Sequence, residues 1–123
     1  MTSFSRADRV SGLIQEILSD IINKSIHDPR LQRATITKVK MSADLKLARI
    51  YFVIFGGIKK SEDAIRGFES AHGFIKRILA PKLGLRYMPD LQFFYDDSFD
   101  YGSHIDQLLE KIKAENGPDH QTN

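Results

Sequence analysis

The chain has 123 residues, 41% hydrophobic and 28% charged, which suits one ordinary domain with a single core. It contains no cysteine, which excludes a disulfide scaffold, a thiolate zinc site and a cysteine nucleophile. The longest strongly apolar run, Ile50 to Phe55, falls far short of the roughly 20 residues of a bilayer span, and the polar start lacks a signal-peptide core; a soluble, cytoplasmic protein is expected.

Net charge is only +2, yet it is unevenly spread. Residues 1–89 carry 16 of the 18 basic and 8 of the 16 acidic side chains, net +8, whereas residues 90–123 carry 2 and 8, net −6. A basic body with an acidic tail points to a polyanion partner, with ordinary solubilising charge as the alternative.

Val10, Leu13, Ile14, Ile17, Leu18, Ile21, Ile22 and Ile26 follow the three-and-four spacing of a buried helical face. Ser3 or Ser5 is placed to cap this helix, and Asp28-Pro29 is expected to stop it, because proline disfavours helical geometry in the residue before it. Arg6 and Arg9 lie in the first turns, where positive charge opposes the helix dipole and a bound phosphate relieves the cost.

Ala34 to Met41 and Lys46 to Phe55, separated by the polar turn Ser42-Ala43-Asp44-Leu45, read as a β-hairpin. The second strand is apolar on both faces, which predicts a central strand. Gly56-Gly57 ends it, and Ser61 before Glu62 and Asp63 marks a helix start.

Ile65, Phe68, Ala71, His72, Ile75, Ile78 and Leu79 share one arc, so the helical stripe continues through Gly73. A mid-helix glycine costs about 1 kcal/mol relative to alanine, so Gly73 calls for a kink or a close backbone approach. A regular continuation would put Lys82 inside the apolar arc, which predicts that Pro81 ends or rewinds the helix first. Leu91, Phe93 and Tyr95 alternate with Gln92, Phe94 and Asp96 as a third strand, and Ile105, Leu108, Leu109 and Ile112 mark a short amphipathic helix. The order predicts an α+β fold with helices on one face of the sheet.

The four histidines, His27, His72, His104 and His120, have no partner at metal-ligand spacing, and His72 on the apolar stripe reads as a core histidine. Asp96, Asp97 and Asp100 fail as a calcium loop, because Tyr101 stands where glycine is required and Gln107 where glutamate is; loop solvation and capping explain them better. No nucleophile elbow or phosphate-binding glycine loop is present. We therefore expect no enzyme, no metal, no cofactor and no small-molecule substrate. What stands out is an acid-free stretch from Ser70 to Pro89 carrying Lys76, Arg77, Lys82 and Arg86, with Lys38, Lys40, Lys46 and Arg49 on the hairpin, as a phosphate-gripping surface needs. Two rival readings remain open: a protein-interaction module dimerising through the last helix, and a small hydrolase using His72 and Asp96.

The element order resembles a type II KH domain, an RNA-binding fold, although no two glycines lie three apart as its clamp requires. Asp28-Pro29-Arg30-Leu31, Met41-Ser42-Ala43-Asp44-Leu45, Ser70-Ala71-His72-Gly73-Phe74-Ile75-Lys76-Arg77 and Pro89-Asp90-Leu91-Gln92-Phe93-Phe94-Tyr95-Asp96 closely resemble the bacterial ribosome-binding factor A family. The resemblance covers residues 4–102 and implies that Ala71-His72-Gly73 is the helix kink replacing that clamp. It implies a KH-like domain over 1–97, a C-terminal helix over 98–115 on or beside it, and a disordered tail over 116–123. It further implies a non-catalytic assembly factor, monomeric when free. Such a factor binds the immature small (30S) subunit and its precursor rRNA, assists 16S rRNA maturation near the 5′ terminal helix, and matters most in the cold. Lys76, Arg77, Lys82, Arg86, Arg6, Arg9, Lys40 and Lys46 are the expected RNA-binding residues, with Arg6, Arg9 and Val10 matching the family's basic helix start.

Overall fold

The computed structural model describes residues 5–98. Helix α1 (Arg6–Lys24) opens with a reciprocal cap: the Asp8 amide donates to Ser5 Oγ at 3.1 Å, and the Ser5 amide donates to the Asp8 carboxylate at 3.2 Å. Its buried stripe is Val10, Ile14, Leu18, Ile21 and Ile22. The helix ends at Lys24, four residues before the expected stop. Pro29 instead opens a 3-10 turn over Pro29–Leu31, where Asp28 accepts from the Arg30 amide at 2.9 Å and grips the Arg30 guanidinium at 2.7 and 3.2 Å.

Strands β1 (Ala34–Met41) and β2 (Leu47–Ile54) pair antiparallel, and β3 (Asp90–Tyr95) adds parallel to β2, which is therefore central, as its two-sided apolarity predicts. β1 carries a bulge between Ile36 and Lys38. The extra residue lets Ile36 and Val39, three apart, both face the core. Along β2, Ala48, Ile50, Phe52 and Ile54 are buried while Arg49 is exposed and Tyr51 and Val53 are half-buried. Helix α1 lies against β1: Ser11 Oγ accepts from the Met41 amide at 3.0 Å, and Gln15 donates to the Ile36 carbonyl at 3.4 Å, so polar groups of that edge strand are satisfied.

Helices α2 (Ser61–Ser70) and α3 (His72–Leu83) are separate. Ser61 begins α2 without capping it; its hydroxyl donates to the Ile58 carbonyl at 2.8 Å. The stripe does not run unbroken, because Ala71, with φ −89° and ψ 1°, interrupts it. Pro81 does not end α3 either: it sits inside the last turns, and Gly84 at φ 65° closes the helix. The break at Ala71 starts a new buried stripe, Ile75, Leu79 and Leu83, and Lys82 stays on the surface beside it. An aromatic cluster ties α2 to the sheet: Phe68 stacks on Phe93 at 4.4 Å and tilts against Phe52 at 5.0 Å.

The order α-β-β-α-α-β is that of the type II KH arrangement. The helix 98–115 and the tail 116–123 expected from sequence lie outside the described residues, apart from Ser98.

Candidate nucleic-acid interface

The first candidate region is the α2–α3 junction. Gly73 is exposed, and a Cβ there would meet only the Arg77 guanidinium at 3.8 Å, so close approach does not explain it. Gly67, which the sequence reading passed over, is the tight position: a Cβ would lie 3.1 Å from Leu31 and 3.2 Å from Arg30. Arg30 also reaches Ser70 at 3.3 Å, so the Asp28-to-Leu31 segment braces α2 just before the break. The Arg30 guanidinium and amide hold the Asp28 carboxyl below its ordinary range.

His72 is half-buried rather than a core residue. It lines a groove of about 560 Å³ with Ile65, Glu69, Gln92, Phe93 and Phe94 along the β3 edge. No Lys or Arg lines that groove, and Glu69 does. Asp96, the other hydrolase candidate, is engaged elsewhere: it accepts from Thr37 and Ser98 hydroxyls, each at 2.6 Å, and these bonds hold its carboxyl below the ordinary value. Among the described residues no three His, Asp or Glu side chains group as metal ligands do.

The second region lies at the other end of α3. A cleft of about 410 Å³ is lined by Arg6 at the start of α1, Lys46 before β2, and Arg86 and Tyr87 after α3. Each arrives by a local device. The Ser5–Asp8 cap fixes Arg6 in the first turn. The β1–β2 turn is set by Ser42 Oγ, which donates to Asp44 at 2.6 Å and accepts from the Lys46 and Leu47 amides at 3.2 and 3.0 Å, with Leu45 at φ 63°. The Ser42 hydroxyl and the Lys46 amide, which also donates to Asp44 at 3.1 Å, hold the Asp44 carboxyl below its ordinary range, so this acid serves the turn even as it lines the cleft. Gly84 turns the chain out of α3, leaving Tyr87 75% exposed with the Arg86 guanidinium 5.7 Å from its ring centroid.

Five of the eight cations expected from sequence belong to this end. Arg9 joins Arg6 in an adjoining cleft of about 510 Å³ beside Leu85. Lys76 is half-buried, 3.6 Å from Asp90, which itself lines the Arg86 cleft. The other three lie apart. Arg77 is beside Gly73, Lys82 borders a cleft with Glu16 and Asp20 of α1, and Lys40 stands on the open sheet face opposite Arg49. Tyr87 was missed by sequence reasoning, although an aromatic next to Arg86 in an acid-free run was the available signal.

No described helix is long and apolar enough to cross a membrane. The chain is 55% identical over 119 residues to a ribosome-binding factor A of Desulfatibacillum aliphaticivorans, covering 97% of each. Its fold is similar to a solution structure from Thermotoga maritima described as a putative ribosome binding factor A (TM-score 0.69, 25% identity, 80% of this chain and 93% of that one). It is also similar to a Thermus thermophilus ribosome binding factor A homology model fitted into a cryo-EM map of a 30S complex (TM-score 0.59, 25% identity, 71% and 91%). The family model for ribosome-binding factor A matches residues 6–109, and the chain belongs to that family.

Proposed function

We propose that this chain is a non-catalytic assembly factor of the small ribosomal subunit that holds precursor rRNA by charge and shape. The observation that carries the reading is the convergence of Arg6, Lys46 and Arg86, from three separate segments, on one cleft beside an exposed tyrosine. Phosphate contacts are charge-dominated and release counterions, and an aromatic ring beside them offers a face to an unstacked base. The Thermus relative fitted into a 30S map supports the same partner here.

On this reading the free protein is a cytoplasmic monomer that binds the immature 30S subunit and favours the mature form of 16S rRNA near its 5′ terminal helix. Its weight is greatest in the cold, because misfolded RNA helices escape more slowly as temperature falls. Five phosphate contacts, through Arg6, Arg9, Lys46, Lys76 and Arg86, correspond to a log affinity against log salt slope of about −3 to −5. Sedimentation of cell extract tests the partner: the protein should travel with small subunits and their precursors and scarcely with full ribosomes. Equal occupancy of full ribosomes, or a salt slope near zero, would overturn the reading.

A further inference from the structure

The face of the sheet opposite the helices carries an ordered chemical pattern that the cleft does not use. Strand register puts Lys40, Arg49 and Gln92 in one cross-strand row and Lys38, Tyr51 and Phe94 in the next. In the second row the Lys38 ammonium lies 4.6 Å from the Tyr51 ring centroid, and Tyr51 stacks on Phe94 at 5.5 Å with 29° between planes. The row is thus a continuous cation–aromatic–aromatic stack, ending at Phe94, which is 39% exposed on the edge strand. Lys38, Lys40 and Arg49 are exposed, and none of them forms an ion pair within 4 Å among the described residues. The Lys38 charge acts on Asp96, whose carboxylate is already bonded to Ser98 and Thr37.

An ordinary solvated sheet face alternates charges of both signs, and directly opposed like charges such as Lys40 and Arg49 destabilise the pair. Here positive charge accumulates beside aromatic rings, which is the composition that single-stranded nucleic acid selects: bases stack and phosphates are neutralised. We propose that this open sheet face is a second binding site, for a single-stranded nucleic acid segment, separate from the Arg6–Lys46–Arg86 cleft. The inference builds on the proposed RNA-binding function, and with two sites one protein can hold two RNA segments at once.

The chain has no tryptophan, so Phe94→Trp installs a single fluorescent reporter at the end of the stack. Titrating the full chain carrying F94W with a short single-stranded oligouridylate should change its emission. Adding K38Q, K40Q and R49Q should weaken that binding about tenfold and flatten the salt slope by about 2, as expected when three single-strand phosphate contacts are lost. Tyr51→Leu should lower affinity by a comparable factor by breaking the stack. Unchanged affinity in the triple variant overturns the proposal. So does a reporter that responds to removing residues 99–123 but not to oligonucleotide, which would make the chain's own acidic segment the occupant. The same titration on a chain carrying R6Q, K46Q and R86Q separates the two sites: retained emission change keeps the sheet site whatever happens to subunit loading, and its loss assigns the oligonucleotide to the cleft alone.

Discussion

The two ends of α3 are built on opposite principles. At its start the chain breaks at Ala71, just before His72 and Gly73 open the helix, and the adjoining groove has Glu69 at its wall and no Lys or Arg. At its far end no local motif exists, yet α1, the β1–β2 turn and the segment after α3 bring three cations to one cleft. The contrast teaches that a glycine-bearing junction can be recognised from neighbours in sequence, whereas a charge cluster is a property of segments that meet only after folding. The break separates α2 from α3; the proposed grip on phosphate rests on the charges that meet at the far end of α3.

The sharpest way to break this comparison is to remove charge at the far end. R6Q/K46Q/R86Q should lower affinity for precursor subunits roughly tenfold to a hundredfold at about 0.15 M salt, measured by co-sedimentation, and flatten the salt slope by about 2 to 3. Lys82→Gln, on the flank beside Glu16 and Asp20, should change the same affinity by less than about twofold. A loss for K82Q equal to the triple variant would erase the distinction between the cleft and general surface charge.

The junction is tested through its glycines. Gly67→Val should destabilise the protein by about 1–3 kcal/mol in denaturant melts, since the new side chain meets Leu31 and the Arg30 stem. Gly73→Ala should stabilise it by about 0.5–1 kcal/mol, because the site is open and its φ is ordinary. Stabilities moving in the reverse order would show that the packing constraint sits at Gly73 after all.

The smallest expected effect concerns the far edge of the sheet. Hydrogen bonds from Ser98 and Thr37 lower the Asp96 pKa from its ordinary 3.8, so the folded state binds the proton less readily than the unfolded one. That stabilisation is present above the ordinary carboxylate value and is lost as pH falls through the lower folded value. Asp96→Asn should accordingly melt below the native chain at pH about 7, with the gap narrowing as pH falls below the ordinary 3.8; a gap independent of pH would remove the carboxylate from the account.

Much of the architecture was readable in one dimension. The α1 stripe, the hairpin turn built by Ser42 and Asp44, the central position of β2 and the order of elements all follow from periodicity and turn chemistry, which act between near neighbours. The reading and the structure part at element ends. Helix α1 closes at Ser25, whose amide donates to the Ile21 carbonyl, and Asp28 caps a separate 3-10 turn beyond it. Pro81 stands inside the last turns of α3, although it has no amide hydrogen to donate to the preceding turn, and the helix runs on to Leu83. The parity change in β1, from Ala34 and Ile36 to Val39 and Met41, was a legible sign of the bulge that went unused.

By itself the sequence determined the elements, their order and the family, because local propensity and shared motifs are carried by residues close together along the chain. Packing in three dimensions makes Gly67 rather than Gly73 the crowded glycine, sets Lys82 apart, and gathers Arg6, Lys46 and Arg86 at one cleft while Lys38, Lys40 and Arg49 share an open sheet face. Electrostatic attraction for a polyanion depends on distance in space between charges, and that distance is set by how α1, the sheet and α3 pack, not by the spacing of lysines and arginines along the chain.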